Sequence, residues 1–282
     1  MSRTVFVNGD YVPEEEAKVS IFDRAFLFGD AVYEVTAVLD GKLVDFEPHM
    51  TRLERSLKEL GMGSPMSAAD IGAMHREIAA RNGLKEGLIY MQITRGVAER
   101  DFAYPDKAEQ TIIAFTQEKS LRDSPAGKAG VKVVTIPDIR WRRRDIKSTA
   151  MLAQAMGKQA AKQAGAFEAW MVEDGHVTEG TSCTAFIVTK DGKLVTRPLS
   201  NDILPGVTRR AILRLANEGD VTVEERPFTV DEARNAREAF LTSASSFVTP
   251  VVEIDGVKIG DGRPGPVTAR LRELYLEEAV AG

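Results

Sequence analysis

Asx-Gly dipeptides punctuate this chain: Asn8-Gly9 between Val5-Phe6-Val7 and Tyr11-Val12-Pro13, Asp40-Gly41 after an apolar run over 31–38, then Asp174-Gly175, Asp191-Gly192 and Asp255-Gly256. An Asn or Asp followed by Gly accepts positive φ at both central turn positions, so the flanking strands fold straight back on each other. Helical stretches interrupt these strands without strict alternation. The expected fold class is therefore α+β in two domains, not a doubly wound parallel sheet.

Between Phe46 and Gly61 the apolar residues Met50, Leu53, Leu57 and Leu60 recur at helical spacing, leaving Arg52, Arg55 and Lys58 on other faces. A second helix is expected to start at Ser67, capped with Asp70, and to end at Asn82-Gly83. Strands follow at 88–94 and 111–116. The stretch 119–130, Lys119-Ser120-Leu121-Arg122-Asp123-Ser124-Pro125-Ala126-Gly127-Lys128-Ala129-Gly130, is polar and rich in breakers, and reads as a linker between domains at 1–118 and 131–282.

At 282 residues the chain can bury its own core without staples. A net charge of -5 gives no global attraction to nucleic acid, and Cys183 as the sole cysteine excludes an internal disulfide and suits a reducing compartment. The N-terminus enters strand-like sequence without a signal h-region, and no apolar run approaches membrane-spanning length; the expected location is cytoplasmic. His49, His75 and His176 fall in no metal-binding spacing, so no metal is expected. Dinucleotide-binding, Walker and nucleophile-elbow motifs are missing as well, which weakens dehydrogenase, NTPase and hydrolase readings.

The stretch richest in chemistry is 131–148, where the apolar run Val131-Lys132-Val133-Val134-Thr135-Ile136 gives way to Arg140, Arg142, Arg143 and Arg144, and then to Asp145-Ile146-Lys147-Ser148. A helix is expected from about Thr149, which places Lys147 at a strand-to-helix junction. A lysine crowded by cations and partly desolvated has its pKa lowered, and a neutral amine forms Schiff bases. Taken by itself, the stretch reads more readily as a solvated basic loop, since most lysines are exposed surface charges. Three small-residue clusters suit an oxyanion: Gly206-Val207-Thr208 at a helix start, Thr242-Ser243-Ala244, and Thr181-Ser182. Each is also compatible with a plain cap or turn.

Read together and in order, Phe22-Asp23-Arg24, Phe28-Gly29-Asp30-Ala31-Val32-Tyr33-Glu34-Val35, His49 with Arg52-Leu53, 90–96, Asp145-Ile146-Lys147-Ser148, Val177-Thr178-Glu179-Gly180, Leu204-Pro205-Gly206-Val207-Thr208-Arg209 and Thr249-Pro250 span nearly the whole chain. In that order they resemble the fold-type IV pyridoxal-phosphate enzymes, and most closely the D-amino-acid aminotransferase branch. The resemblance implies a small N-terminal α/β domain, a larger C-terminal pseudo-barrel α/β domain, pyridoxal 5'-phosphate (PLP) as cofactor and a homodimer. It also implies ping-pong transfer of an amino group from a D-amino acid such as D-alanine to a 2-oxo acid, 2-oxoglutarate or pyruvate.

By position, Lys147 matches the Schiff-base lysine that also moves the substrate proton, and Glu179 the carboxylate beside the pyridine nitrogen. Arg52 matches the phosphate arginine, with the backbone of Val207, Thr208 and Ala244 and the hydroxyls of Thr208 and Ser243 completing the cup. Tyr33 matches an active-site tyrosine near the substrate carboxylate, and Tyr90 belongs to the same pocket. Arg100 fits the arginine of a substrate-carboxylate trap, while Phe102 stands where the branch has a histidine. Ser182-Cys183-Thr184 departs from the usual serine- and asparagine-rich run, and Cys183 reads as a small buried filler. Branched-chain L-aminotransferases, R-amine transaminases and aminodeoxychorismate lyases would share Lys147 and Glu179. A degenerate cofactor-binding homologue without turnover and an RNA-binding loop at Arg140 to Arg144 are the rivals from other classes.

Overall fold

The computed structural model describes residues 2–281, which form two compact units: 2–120 with Ile146–Met151, and Leu121–Asp145 with Leu152–Ala281. The first contains β1 (Thr4–Val7), β2 (Asp10–Pro13), α1 (Arg24–Phe28), β3 (Ala31–Leu39), β4 (Lys42–Leu43), α2 (Phe46–Glu59), α3 (Ala68–Arg81), β5 (Glu86–Thr94) and β6 (Ile112–Glu118). These strands form an antiparallel sheet in the order β2-β1-β6-β5-β3-β4. Asn8 at φ 50° and Gly9 at φ 107° make the turn between β1 and β2, and Asp40 at φ 50° and Gly41 at φ 77° the one between β3 and β4.

Helix α2 buries Met50, Leu53 and Leu57 against Val32, Val38, Ile89 and Met91 of the sheet, each such side chain contributing about 1.5–3 kcal/mol. Ser67 caps α3 by accepting from the Asp70 N–H at 3.1 Å, as its position before the apolar run suggests. Residues 146–151 return to this unit. Ile146 joins its core, Tyr33 donates its N–H to the Lys147 carbonyl at 3.0 Å, and Thr149 donates to that of Ala31 at 3.0 Å. Lys147 to Thr149 thus lie along β3 as an added rung.

The second unit contains α4 (Pro125–Ala129), β7 (Val131–Pro137), α5 (Leu152–Gln163), β8 (Glu168–Glu173), β9 (His176–Gly180), β10 (Thr184–Val188), β11 (Leu194–Thr196), α6 (Val207–Glu218), β12 (Val223–Glu225), α7 (Val230–Arg234), β13 (Glu238–Ser243), β14 (Phe247–Ile254), β15 (Val257–Lys258) and α8 (Pro266–Ala281). Its sheet runs β12-β11-β10-β13-β14-β7-β8-β9, with β15 beside β14. Pairs β11/β12, β14/β7 and β7/β8 are parallel and the others antiparallel, so this is a mixed sheet. Trp170, Ile187, Phe228 and Leu241 lie in its core.

Two sequence expectations change here. The stretch 119–130 is not a free connector. Leu121 is fully buried, Ser124 caps α4, and the buried Arg272 guanidinium takes the carbonyls of Leu121 and Arg122 at 2.9 and 3.0 Å. The polar composition hid this because one apolar residue, one serine cap and two backbone carbonyls anchor the stretch. Helix α5 starts at Leu152 instead of about Thr149, because the backbone of 147–149 is already bonded to β3. Among the described residues no helix is long and apolar enough to cross a membrane.

Candidate active site

Lys147 sits on the rung beside β3. Its N–H points to Ser56 Oγ on α2 at 3.3 Å, and its Nζ lies 4.1 Å from the centroid of the Tyr33 ring. Strand alternation decides the neighbours. Tyr33 pairs with Gln92, which puts Tyr90 on the adjacent diagonal of the same face. The rings of Tyr33 and Tyr90 stack at 5.5 Å, and Tyr90 stacks on Phe115 at 4.9 Å. The Tyr90 hydroxyl donates to Gln92 Oε1 at 2.9 Å, and burial pushes its pKa up, aided by Tyr33. The first unit thus brings together three of the expected residues, Lys147, Tyr33 and Tyr90.

On the other face of β3, Glu34 is fully buried. Arg52 grips it with Nε on Oε1 at 2.8 Å and Nη2 on Oε2 at 2.7 Å, and His49 Nδ1 lies 2.7 Å from Oε2. Burial alone would raise the Glu34 pKa, but the charge and hydrogen bonds of Arg52 overcome that and hold it far below the usual carboxylate range. His49, Arg52 and Ser56 fall at i, i+3 and i+7, one stripe of α2. The same stripe therefore carries the expected phosphate arginine and the hydroxyl touching the Lys147 backbone. Arg52 is buried, unlike a helix arginine facing solvent. Arg100 lies farther along this unit on an exposed loop, its guanidinium 5.5 Å from the Phe28 ring and 5.4 Å from that of Phe102.

In the second unit Glu179, near the end of β9, is buried and accepts from Arg140 Nη1 and from the Leu204 N–H at 3.2 Å. Arg140 also donates through Nη2 to Asp138 Oδ2 at 2.6 Å, and Thr178 Oγ1 donates to the same oxygen at 2.6 Å. Burial pushes Glu179 up. Arg140 and the Leu204 N–H pull against that rise, while the charge of Asp138 adds to it. Asp138 itself, despite burial, is held low by its bonds to Arg140 and Thr178.

Most of the expected cations are paired with carboxylates. Arg140 is spoken for by Asp138 and Glu179, Arg143 by Asp145 at 3.0 Å, and Arg144 by Glu173 at 2.9 Å. Interleaved carboxylates, distant in sequence except Asp138 and Asp145, pair these three arginines.

Three residues after Leu204, α6 begins. Its N-cap Gly206 makes no side-chain cap, and a Cβ there would come within 2.8 Å of Thr184 Oγ1. Thr184 is the register partner of Thr242, so the start of α6 meets the end of β13, where Ser243 bonds Ser246 at 2.8 Å around Ala244. Thr208 Oγ1 and Thr242 Oγ1 are buried without a hydrogen-bond partner. Buried unpaired hydroxyls beside unpaired helix N–H groups cost free energy unless an acceptor arrives. Cys183 is buried against Gly180 and its thiol pKa is pushed well up by burial, which suits a filler.

Sequence inspection missed Glu34, Asp138 and the pairing of Arg140 with Glu179. A signal existed for Glu34, which directly follows Tyr33 on a strand and must face the opposite, buried side.

The Amino-transferase class IV family model matches residues 31–254. A D-alanine aminotransferase of Staphylococcus aureus (strain MSSA476) is 40% identical over 272 residues, 96% of each chain. The branched-chain amino acid aminotransferase of Escherichia coli superimposes with a TM-score of 0.90 at 25% identity, covering 98% of this chain and 94% of that one. The branched-chain enzyme of Thermobaculum terrenum, solved in its PLP-bound holo form, does so at 0.86 and 25%, covering 99% and 94%.

Proposed function

Since the chain belongs to the class IV aminotransferases, we propose that it moves the amino group of a D-amino acid such as D-alanine to 2-oxoglutarate or pyruvate in a ping-pong reaction with PLP. The donor set fits that cofactor. The start of α6, which has no side-chain cap, and the buried, unpaired hydroxyls of Thr208 and Thr242 offer N–H and O–H groups with no acceptor of their own, which is what a phosphate requires. When bound, PLP supplies an aldehyde for an amine to condense with and a ring that takes up the electron pair left on the substrate's α-carbon.

The remaining work falls to side chains. Lys147 would hold the cofactor through its amine and, with that amine free, would carry the substrate's α-proton. Tyr33, against which Nζ rests, limits the directions in which that amine swings. Val207, Thr208, Ser243 and Ala244 would hold the phosphate, and Arg52, gripped by Glu34, would supply its arginine. Glu179, pushed up by burial and sharing Arg140 with Asp138, would favour a proton on the ring nitrogen. Tyr33, Tyr90 and Arg100 contact substrate, Arg100 pairing with its carboxylate.

The observation that carries this reading is the Lys147 amine over Tyr33, backed by near full-length identity to D-alanine aminotransferases. Purified protein given D-alanine or L-alanine separately with 2-oxoglutarate should release pyruvate from the D-form. Release from the L-form alone would overturn the assignment in favour of the branched-chain type. Borohydride reduction followed by peptide mass analysis should find the cofactor on Lys147. The exposed Phe22, Phe26 and Phe102 support a homodimer, which sedimentation velocity tests. A lone cysteine supports a cytoplasmic setting.

A further inference from the structure

Arg100 sits on a loop whose own side chains are largely exposed, with Phe102 79% and Tyr104 59% accessible. Such a loop is ordinarily mobile, and an arginine on it would search a wide volume before meeting a carboxylate. Here the loop is gripped from beneath. Arg24, buried on α1, donates through Nη1 to the carbonyls of Asp101 at 2.6 Å and Ala103 at 3.2 Å, and lies 5.6 Å from the Tyr104 ring. Arg95, buried at the end of β5, lies 3.5 Å from that same ring and donates to the Leu60 carbonyl at 2.8 Å. Both arginines place Nε on one oxygen, Asp30 Oδ2, at 2.8 and 2.7 Å. Phe28, one turn along α1, stacks on Arg24 and supports Arg100 and Phe102 from the other side.

One carboxylate therefore gathers two buried cations, and both act on the same five residues. Carbonyl oxygens are weak partners for a buried guanidinium, so holding Arg24 there needs the Asp30 charge. A lysine in its place has no fork and cannot serve Asp30 and two carbonyls together. Resting on the reading of Arg100 above, we infer that Asp30, Arg24 and Arg95 are positioning residues that lock the 100–104 loop and so set the affinity for the substrate carboxylate, apart from the cofactor chemistry.

The test compares Arg24→Lys, Asp30→Asn, Arg100→Ala and the double variant Arg24→Lys/Arg100→Ala, all as PLP-loaded protein, with D-alanine as donor. Either locking variant should raise KM roughly ten-fold with kcat within about two-fold of the parent. The cofactor absorbance band should stay unchanged. Trypsin should cut after Arg100 or Lys107 faster in both variants, a readout independent of turnover. If Arg24 acts through Arg100, the double variant is no worse than Arg100→Ala. Losses that multiply, a fall in kcat with KM unmoved, or an unchanged cleavage rate would overturn the lock. A parent inactive on both alanine isomers would instead sink the functional reading, with the proteolysis result still deciding whether the loop is held.

Discussion

Glu34 in the first unit and Arg140 in the second are both buried charges with several partners, but one holds a cation and the other holds carboxylates. Glu34 has a forked arginine and a histidine to itself, and its pKa falls. Glu179 has an arginine too, yet its pKa rises, because burial outweighs what Arg140 and the Leu204 N–H supply, with the charge of Asp138 adding to the rise. Proximity to an arginine is thus a poor guide to a carboxylate's state; the balance between burial and the charges and hydrogen bonds facing each carboxylate decides it. The first arrangement is electrically closed and suits holding Arg52 still. In the second, Asp138 has both Arg140 and Arg144 at hand while Glu179 has Arg140 alone, and burial leaves Glu179 suited to a partner that arrives protonated.

The largest expected effect comes from opening the second cluster. Arg140→Met leaves two buried carboxylates facing each other and should cost about 3–5 kcal/mol of stability at neutral pH, read by urea denaturation of the cofactor-free protein. A variant as stable as the parent would mean that Asp138 and Glu179 do not share that cation. Next comes Glu34→Gln, which keeps the shape and one acceptor for Arg52 but removes the charge. A loss of about 2–3 kcal/mol is expected, together with weaker PLP binding by fluorescence titration. Weaker PLP binding in Arg140→Met alone would place the phosphate anchor elsewhere than Arg52.

Much of the frame was readable from residues. The hairpin at Asn8-Gly9, the Ser67 cap and the apolar stripe of α2 are local signals with local causes, and the structure realises them. The α+β class followed from the same signals. What escaped was long-range and charged. Arg140 meets Glu179 across 39 positions, and Arg272 meets Leu121 across 151. No periodicity announces such pairs, since any arginine suits any carboxylate or carbonyl. For the same reason Arg140 to Arg144 read as a cationic crowd, when each of Arg140, Arg143 and Arg144 has its own anion. Lys147 itself was found by order of motifs, and its rung on β3 could not be: strand pairing by three residues carries no pattern.

Titration separates the two clusters by sign. Glu34 is depressed in the folded protein, so its contribution is full above the ordinary value of 4.5 and is lost as pH falls below it. Glu179 is raised, so its ionised form is the strained one: its contribution is full below 4.5 and is lost as pH rises. The gain in unfolding free energy between pH 4 and pH 7 should therefore be smaller in Glu34→Gln than in the parent and larger in Glu179→Gln, both measured without cofactor. Shifts of the same sign in the two variants would erase the distinction between a closed and an open cluster.

The smallest effect probes how Arg140 is divided. Thr178 Oγ1 donates to Asp138 Oδ2, the same oxygen that takes Arg140 Nη2, and so supplies part of the compensation Asp138 would otherwise draw from the arginine. Removing the hydroxyl in Thr178→Val should cost about 1 kcal/mol, the usual worth of one such bond, and should leave Asp138 leaning harder on Arg140 at the expense of Glu179. In a Glu179→Gln background that competition is gone, since Arg140 can then serve Asp138 alone, and the Thr178→Val cost should shrink. A double-mutant cycle measures the difference directly. Costs that simply add would show that Arg140 is not a resource shared between Asp138 and Glu179.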